Sequence, residues 1–155
     1  MNKTARNSMV LGITILSAAL LLVAQRPHSS GKHAVSLPGT KPDMPFSRGL
    51  VAGNMLFVAG HAGFDDNGKL RPGGIGPETQ SALEHVKQVV EAAGFQMTDV
   101  VSTTVYLADI GEWGDMNKVY KTFFPAPRPA RATVQVAALV SHARIEITAI
   151  AVKTR

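Results

Sequence analysis

PARATVQVAALVSHARIEITAIAV, residues 129–152, is the stretch on which the fold turns. It is rich in β-branched and small apolar residues with a period of two, and it reads as two closing strands over residues 131–139 and 143–152. In the first, Ala132, Val134, Val136 and Ala138 alternate with Arg131, Thr133, Gln135 and Ala137. In the second, Ile145, Ile147 and Ala149 alternate with Arg144, Glu146, Thr148 and Ile150. Successive side chains of a strand point to opposite faces. The aliphatic sets are therefore expected beneath helices. Arg131, Thr133, Gln135, Glu146 and Thr148 are expected together on the other, uncovered face. Charges inside strands are costly to bury unpaired. Arg131 and Glu146 then have three fates: a wet face, a cross-strand pair, or a ligand. On spacing alone the pair is the reading to prefer, contributing about 0.2–1 kcal/mol.

Upstream, residues 49–60 read as two short strands around a Gly53-Asn54 turn. PETQSALEHVKQVVEAAG, residues 77–94, is a helix. Pro77 and Glu78 suit its first turn, and Gly94 suits its stop. Its apolar stripe is Ala82, Leu83, Val86, Val89, Val90 and Ala93. A strand over residues 99–109 and a shorter helix over residues 112–124 follow. Trp113, Phe123 and Phe124 are expected to pack that helix. The order is ββαβαββ. Strands joined through helices imply a mixed sheet, and both helices should lie on one face, giving an α+β two-layer sandwich. Ile150 and Val152 are unusual for a fully wet face, so the uncovered face is expected to bury itself against further copies of the chain, with a site between subunits.

The N-terminus sets the expected location. Lys3 and Arg6 precede an apolar run of 16 residues, 9–24. A basic region followed by a short apolar one reads as a secretory signal. Leu22 fits poorly three residues before a cut after Ala24, so cleaved signal and retained membrane anchor both stay open. Residues 25–43 hold Pro27, Pro38 and Pro42 with Ser, Gly and Lys, and read as a flexible tether. The folded domain is expected to occupy residues 44–155, with its start between 35 and 45. The protein is expected to be exported, and to meet a membrane only through its first residues.

Composition narrows the chemistry. The 155 residues include no cysteine, which excludes disulfides, thiol nucleophiles and thiolate metal sites. The formal charge of +5 is spread rather than clustered, and gives no footprint for nucleic acid. Five histidines lack the HxH or HExxH spacing of a metal site. There is no Walker loop, no dinucleotide loop and no GxSxG elbow. Neither metal nor cofactor is expected.

Five blocks carry a resemblance: AGNMLFVAGH, ALEHVKQVVEAAG, DVVSTTVYLADIGEWGDMNKVYKTFF, PARATVQVAAL and RIEITAIAV, in this order. Together they resemble the RidA/YjgF family of enamine/imine deaminases over the whole folded part. The resemblance implies a chorismate-mutase-like α+β domain assembled as a homotrimer with clefts between subunits. It implies that Arg131 binds a substrate carboxylate and that Glu146 holds the water that attacks the imine carbon. Asn117 and Thr133 fall at further positions of the cleft, as do Phe46, Ala59 and Gly60. Phe46 stands where a tyrosine is usual, Ala59 where a serine is usual and His61 where a glutamine is usual. The implied reaction turns 2-enamino or 2-imino acids into 2-keto acids and ammonia. Competing readings are a non-catalytic trimer that binds small carboxylates or acts like a chaperone, and an RNA-cleaving activity that the diffuse charge does not favour.

Overall fold

Gly53 takes a φ of 61°, a positive value that primed hairpin turns require, and folds strand β2 (Gly49–Ala52) back onto β3 (Met55–Ala62). The computed structural model that shows this describes residues 31–39 and 43–154. Residues 9–24 lie outside the described part, as do residues 25–30 and 40–42 of the expected tether. Among the described residues no helix is long and apolar enough to cross a membrane.

The remaining elements are β1 (Lys32–Ala34), helix α1 (Ile75–Ala92), β4 (Val100–Leu107), helix α2 (Trp113–Phe123), β5 (Ala130–Gln135) and β6 (Ile145–Val152). They form one sheet in the order β1-β2-β3-β6-β4-β5. Only the β4–β5 pair is parallel, joined through α2, and β6 runs antiparallel between β3 and β4. The mixed α+β sandwich expected from the sequence is the observed architecture, with one strand more. Lys32–Ala34, inside the stretch read as a tether, pairs with β2, and Val35 after it is only 7% exposed. A three-residue strand is too short to show a period. The free edge of β2 fixes it, not its own propensity.

Helix α1 buries the predicted stripe: Ala82, Leu83, Val86, Val89 and Val90 are fully covered. It packs on β3, β6 and α2. Gly94, at φ 76°, lies just past its end. From β6, Ile145, Ile147, Ala149 and Ala151 face this layer. Near the start of α1 a charged cluster ties the layers together. Glu78, almost fully buried, accepts the backbone N–H of Arg144 at 2.8 Å. The Arg144 guanidinium lies 3.8 Å from Glu78 and 2.5 Å from Glu112 at the head of α2. Burial pushes the Glu78 carboxyl up, and Arg144 opposes that shift.

Three expectations fail. Trp113 is 49% exposed and does not pack the helix; Phe124 does, buried with Tyr120 and Met116, and Phe123 packs against the same core from its margin. Strand β5 ends at Gln135, where the Val136 N–H bonds to Leu107 O and the Gln135 side chain accepts from the Ile110 N–H. Most importantly, β5 is turned over. Val134 is 43% exposed on the open face, while Arg131 and Thr133 point to the helix side. As an edge strand at the margin of the helix layer, β5 is fully covered on neither face, so its small apolar residues gain little by turning inward.

Candidate active site

The register locates Arg131. It is the Cα neighbour of Thr103 on β4, and Thr103 also neighbours Ala149 on β6. Thr103 is 2% exposed and its hydroxyl lies 2.7 Å from the Tyr120 hydroxyl of α2. The Arg131 guanidinium stacks over the same tyrosine ring, 4.4 Å from its centre. Burial pushes the Tyr120 hydroxyl up, offset in part by Thr103 and by the nearby Arg131 charge. Among the described residues Arg131 has no carboxylate partner. Thr133, two residues on, has a buried hydroxyl with no hydrogen-bond partner. Asn117 is one turn before Tyr120 on α2 and shares that side of the helix. Arg131, Thr133 and Asn117 thus gather along the helix-side margin of β5.

Glu146 belongs to a different place. It sits between the buried Ile145 and Ile147, so it points to the open face. Its register neighbours are Tyr106 on β4 and Ala62 on β3. The β3–β6 pairing slips between Val58 and His61, which brings Gly60 under the Glu146 side chain. A methyl group at Gly60 would lie 2.7 Å from Glu146 Cδ and closer still to Oε1. Glu146 has no hydrogen bond or ion pair among the described residues. Ala59, in the same bulge, donates its N–H to Arg48 O. Phe46, 54% exposed, precedes this point by two residues. Ala59, Gly60 and Glu146 make a second group, to which Phe46 is joined along the chain through Arg48.

The expectation that Arg131 and Glu146 share a face is therefore corrected. They lie on opposite faces, two strand spacings apart across the sheet, roughly 10 Å, and about as far again along the strands. A cross-strand ion pair between them is ruled out in this chain, and so is a single-chain site holding both.

His61 is buried against His85 of α1, ring centroids 5.9 Å apart, and its Nε2 has no partner. Burial, then the His85 and Arg48 charges, lower its pKa from 6.5 to about 4. The folded chain thus refuses a proton that the unfolded chain accepts. Stability is full above pH 6.5 and falls as pH drops toward 4, by about 3 kcal/mol at most. His61→Phe should flatten that fall in urea unfolding at pH 7 and pH 4.5. Identical pH dependence in both proteins would refute the assignment. No three His, Asp or Glu side chains converge among the described residues as a metal ion needs.

The fold and the two half-built charge sites define a class. The sequence profile of the endoribonuclease L-PSP family matches residues 38–153, and the chain belongs to that family. The 2-iminobutanoate/2-iminopropanoate deaminase of Rattus norvegicus is 45% identical over 109 residues, covering 70% of this chain and 80% of the relative. A RutC family protein of Pyrococcus horikoshii is 42% identical over 114 residues, covering 73% and 90%. Among solved structures, E. coli TdcF with bound serine superposes with a TM-score of 0.72 at 32% identity, covering 79% of this chain and 99% of that one.

Proposed function

We propose that this protein is a cofactor-free hydrolytic deaminase that converts 2-enamino and 2-imino acids to 2-keto acids and ammonia, in clefts between copies of the chain assembled as a homotrimer. The observation that carries the reading is a pair of uncompensated charges. Among the described residues Arg131 and Glu146 each lack a charged partner, and each sits on its own face of one sheet. A second copy supplies what each group lacks. Val134, Phe57 and Val101, all more than 40% exposed, give the sheet apolar surface that such packing would cover. The deaminase names of the relatives and the amino acid bound by TdcF fit a small carboxylate substrate. Residues 1–24 would carry the enzyme out of the cytoplasm.

The chemistry follows from the two groups. A 2-enamino acid tautomerises to the 2-imino acid. The guanidinium fork of Arg131 grips its carboxylate in two parallel hydrogen bonds, which orients the imine carbon. Glu146 of a neighbouring copy accepts a proton from water as the water oxygen bonds to that carbon. The proton moves to nitrogen to give the carbinolamine; its hydroxyl then yields its own proton to nitrogen as the C=O bond forms and the C–N bond breaks, and ammonia leaves a 2-keto acid. Water and imine supply every atom of the products.

The test uses the full-length chain with 2-iminopropionate generated in situ, following pyruvate and ammonia. Wild type should accelerate their release, and Glu146→Gln should lose roughly a hundredfold or more of that acceleration. No acceleration by wild type, with pyruvate still bound, would move the reading to a binding module. Gly60→Ala gives a second check on Glu146. Its methyl group overlaps the carboxylate, so the side chain must swing away while the backbone stays. The rate should fall at least tenfold, since misplacement by about 1 Å costs up to a hundredfold. A Gly60→Ala enzyme with wild-type rate would separate Glu146 from the reaction.

A further inference from the structure

We infer that Tyr120 is a positioning residue: its ring holds the Arg131 guanidinium in the orientation that receives a substrate carboxylate. This rests on the carboxylate-binding reading of Arg131. A guanidinium lying over a ring is supported through its face; one donor is shared with the Tyr120 hydroxyl, and the remaining N–H groups are left to fork onto a ligand. A carboxylate neighbour would hold the side chain equally well and consume those donors, and none is present among the described residues. The ring itself has little freedom. Its hydroxyl is tied to the buried Thr103 at 2.7 Å, and Phe124 packs on it with centroids 4.7 Å apart. Tyr120 is 3% exposed, so the ring is a wall of the core that shows one face to the cation. Thr103 is also the register neighbour of Arg131, so strand, tyrosine and arginine are fixed relative to one another by a single residue of β4. An arginine side chain has several rotatable bonds, and freezing it beforehand spares the ligand that entropy.

The experiment measures KM and kcat for 2-iminopropionate, and Kd for pyruvate, in full-length Tyr120→Leu, Tyr120→Phe and Arg131→Ala proteins and in the Tyr120→Leu/Arg131→Ala double variant. Tyr120→Leu should raise KM and Kd by roughly 3- to 30-fold with kcat within about twofold, the range a lost cation–π contact gives. Tyr120→Phe keeps the ring and should stay within about threefold of wild type. In the Arg131→Ala background the change at Tyr120 should have no further effect on Kd. Tyr120→Met, which refills the space with a flexible thioether, gives the same reading should Tyr120→Leu fail to fold. Wild-type KM and Kd in a folded Tyr120 variant would overturn the inference. So would a loss of affinity that persists undiminished without Arg131. An Arg131→Ala protein that still binds pyruvate normally would overturn the carboxylate reading itself, and the inference with it; loss of pyruvate binding in Arg131→Ala alone leaves that reading standing and removes only Tyr120.

Discussion

Arg131→Ala is expected to lower kcat/KM for 2-iminopropionate by roughly a hundredfold or more while the protein stays folded. Removing one member of a hydrogen-bonded charge pair costs about 2–5 kcal/mol, and each 1.36 kcal/mol is a factor of ten in rate. The loss falls on the bound substrate because the guanidinium has no carboxylate partner to release among the described residues. On the folding side the variant forfeits only the contact with the Tyr120 ring, about 0.5–1 kcal/mol at a partly exposed site. Steady-state rates beside urea midpoints separate the two. An unchanged kcat/KM would remove Arg131 from the site, and a collapsed urea midpoint would make it an architectural residue.

How much of this could be read from the sequence differs from strand to strand. In β6 the bulky Ile145 and Ile147 mark the buried face without ambiguity, and both are fully covered. The stripe of α1 and the Gly53 turn are equally plain, because burial and a positive φ each demand particular residue types. In β5 the same logic picks the wrong face. Alanine and valine gain little where the helix layer ends, and an arginine can lay its aliphatic stem and flat head on an aromatic ring. No periodicity carries that information; it depends on where Tyr120 of α2 comes to rest. The period put Arg131 and Glu146 on one face, and the family resemblance singled them out by position. The corrected geometry gives the resemblance a sharper content, because two charges on opposite faces cannot neutralise each other. The bulge that brings Gly60 under Glu146 was also out of reach, since a register slip in β3 follows from its pairing with β6 and not from its own residues.

The same geometry sets the second large effect. Arg131→Ala and Glu146→Gln chains should each be nearly inactive alone, yet active when mixed, unfolded and refolded together. In the proposed closed ring of identical subunits each cleft would join Arg131 of one copy to Glu146 of the next. A cleft is intact when the first copy carries only the glutamate substitution and the second only the arginine substitution. With random assortment that happens in about a quarter of clefts, whatever the number of subunits in the ring. The mixture should therefore recover about a quarter of wild-type activity per site, from a baseline lower by roughly a hundredfold. The double variant Arg131→Ala/Glu146→Gln, mixed with wild type, supplies the control: one cleft in about four retains both wild-type groups, with no gain over the wild-type chains alone. Recovery would require that the two groups meet across a subunit boundary, in keeping with their placement on opposite faces of the sheet. A mixture no more active than its components would mean that Arg131 and Glu146 never share a substrate, and the proposed mechanism would fall with it.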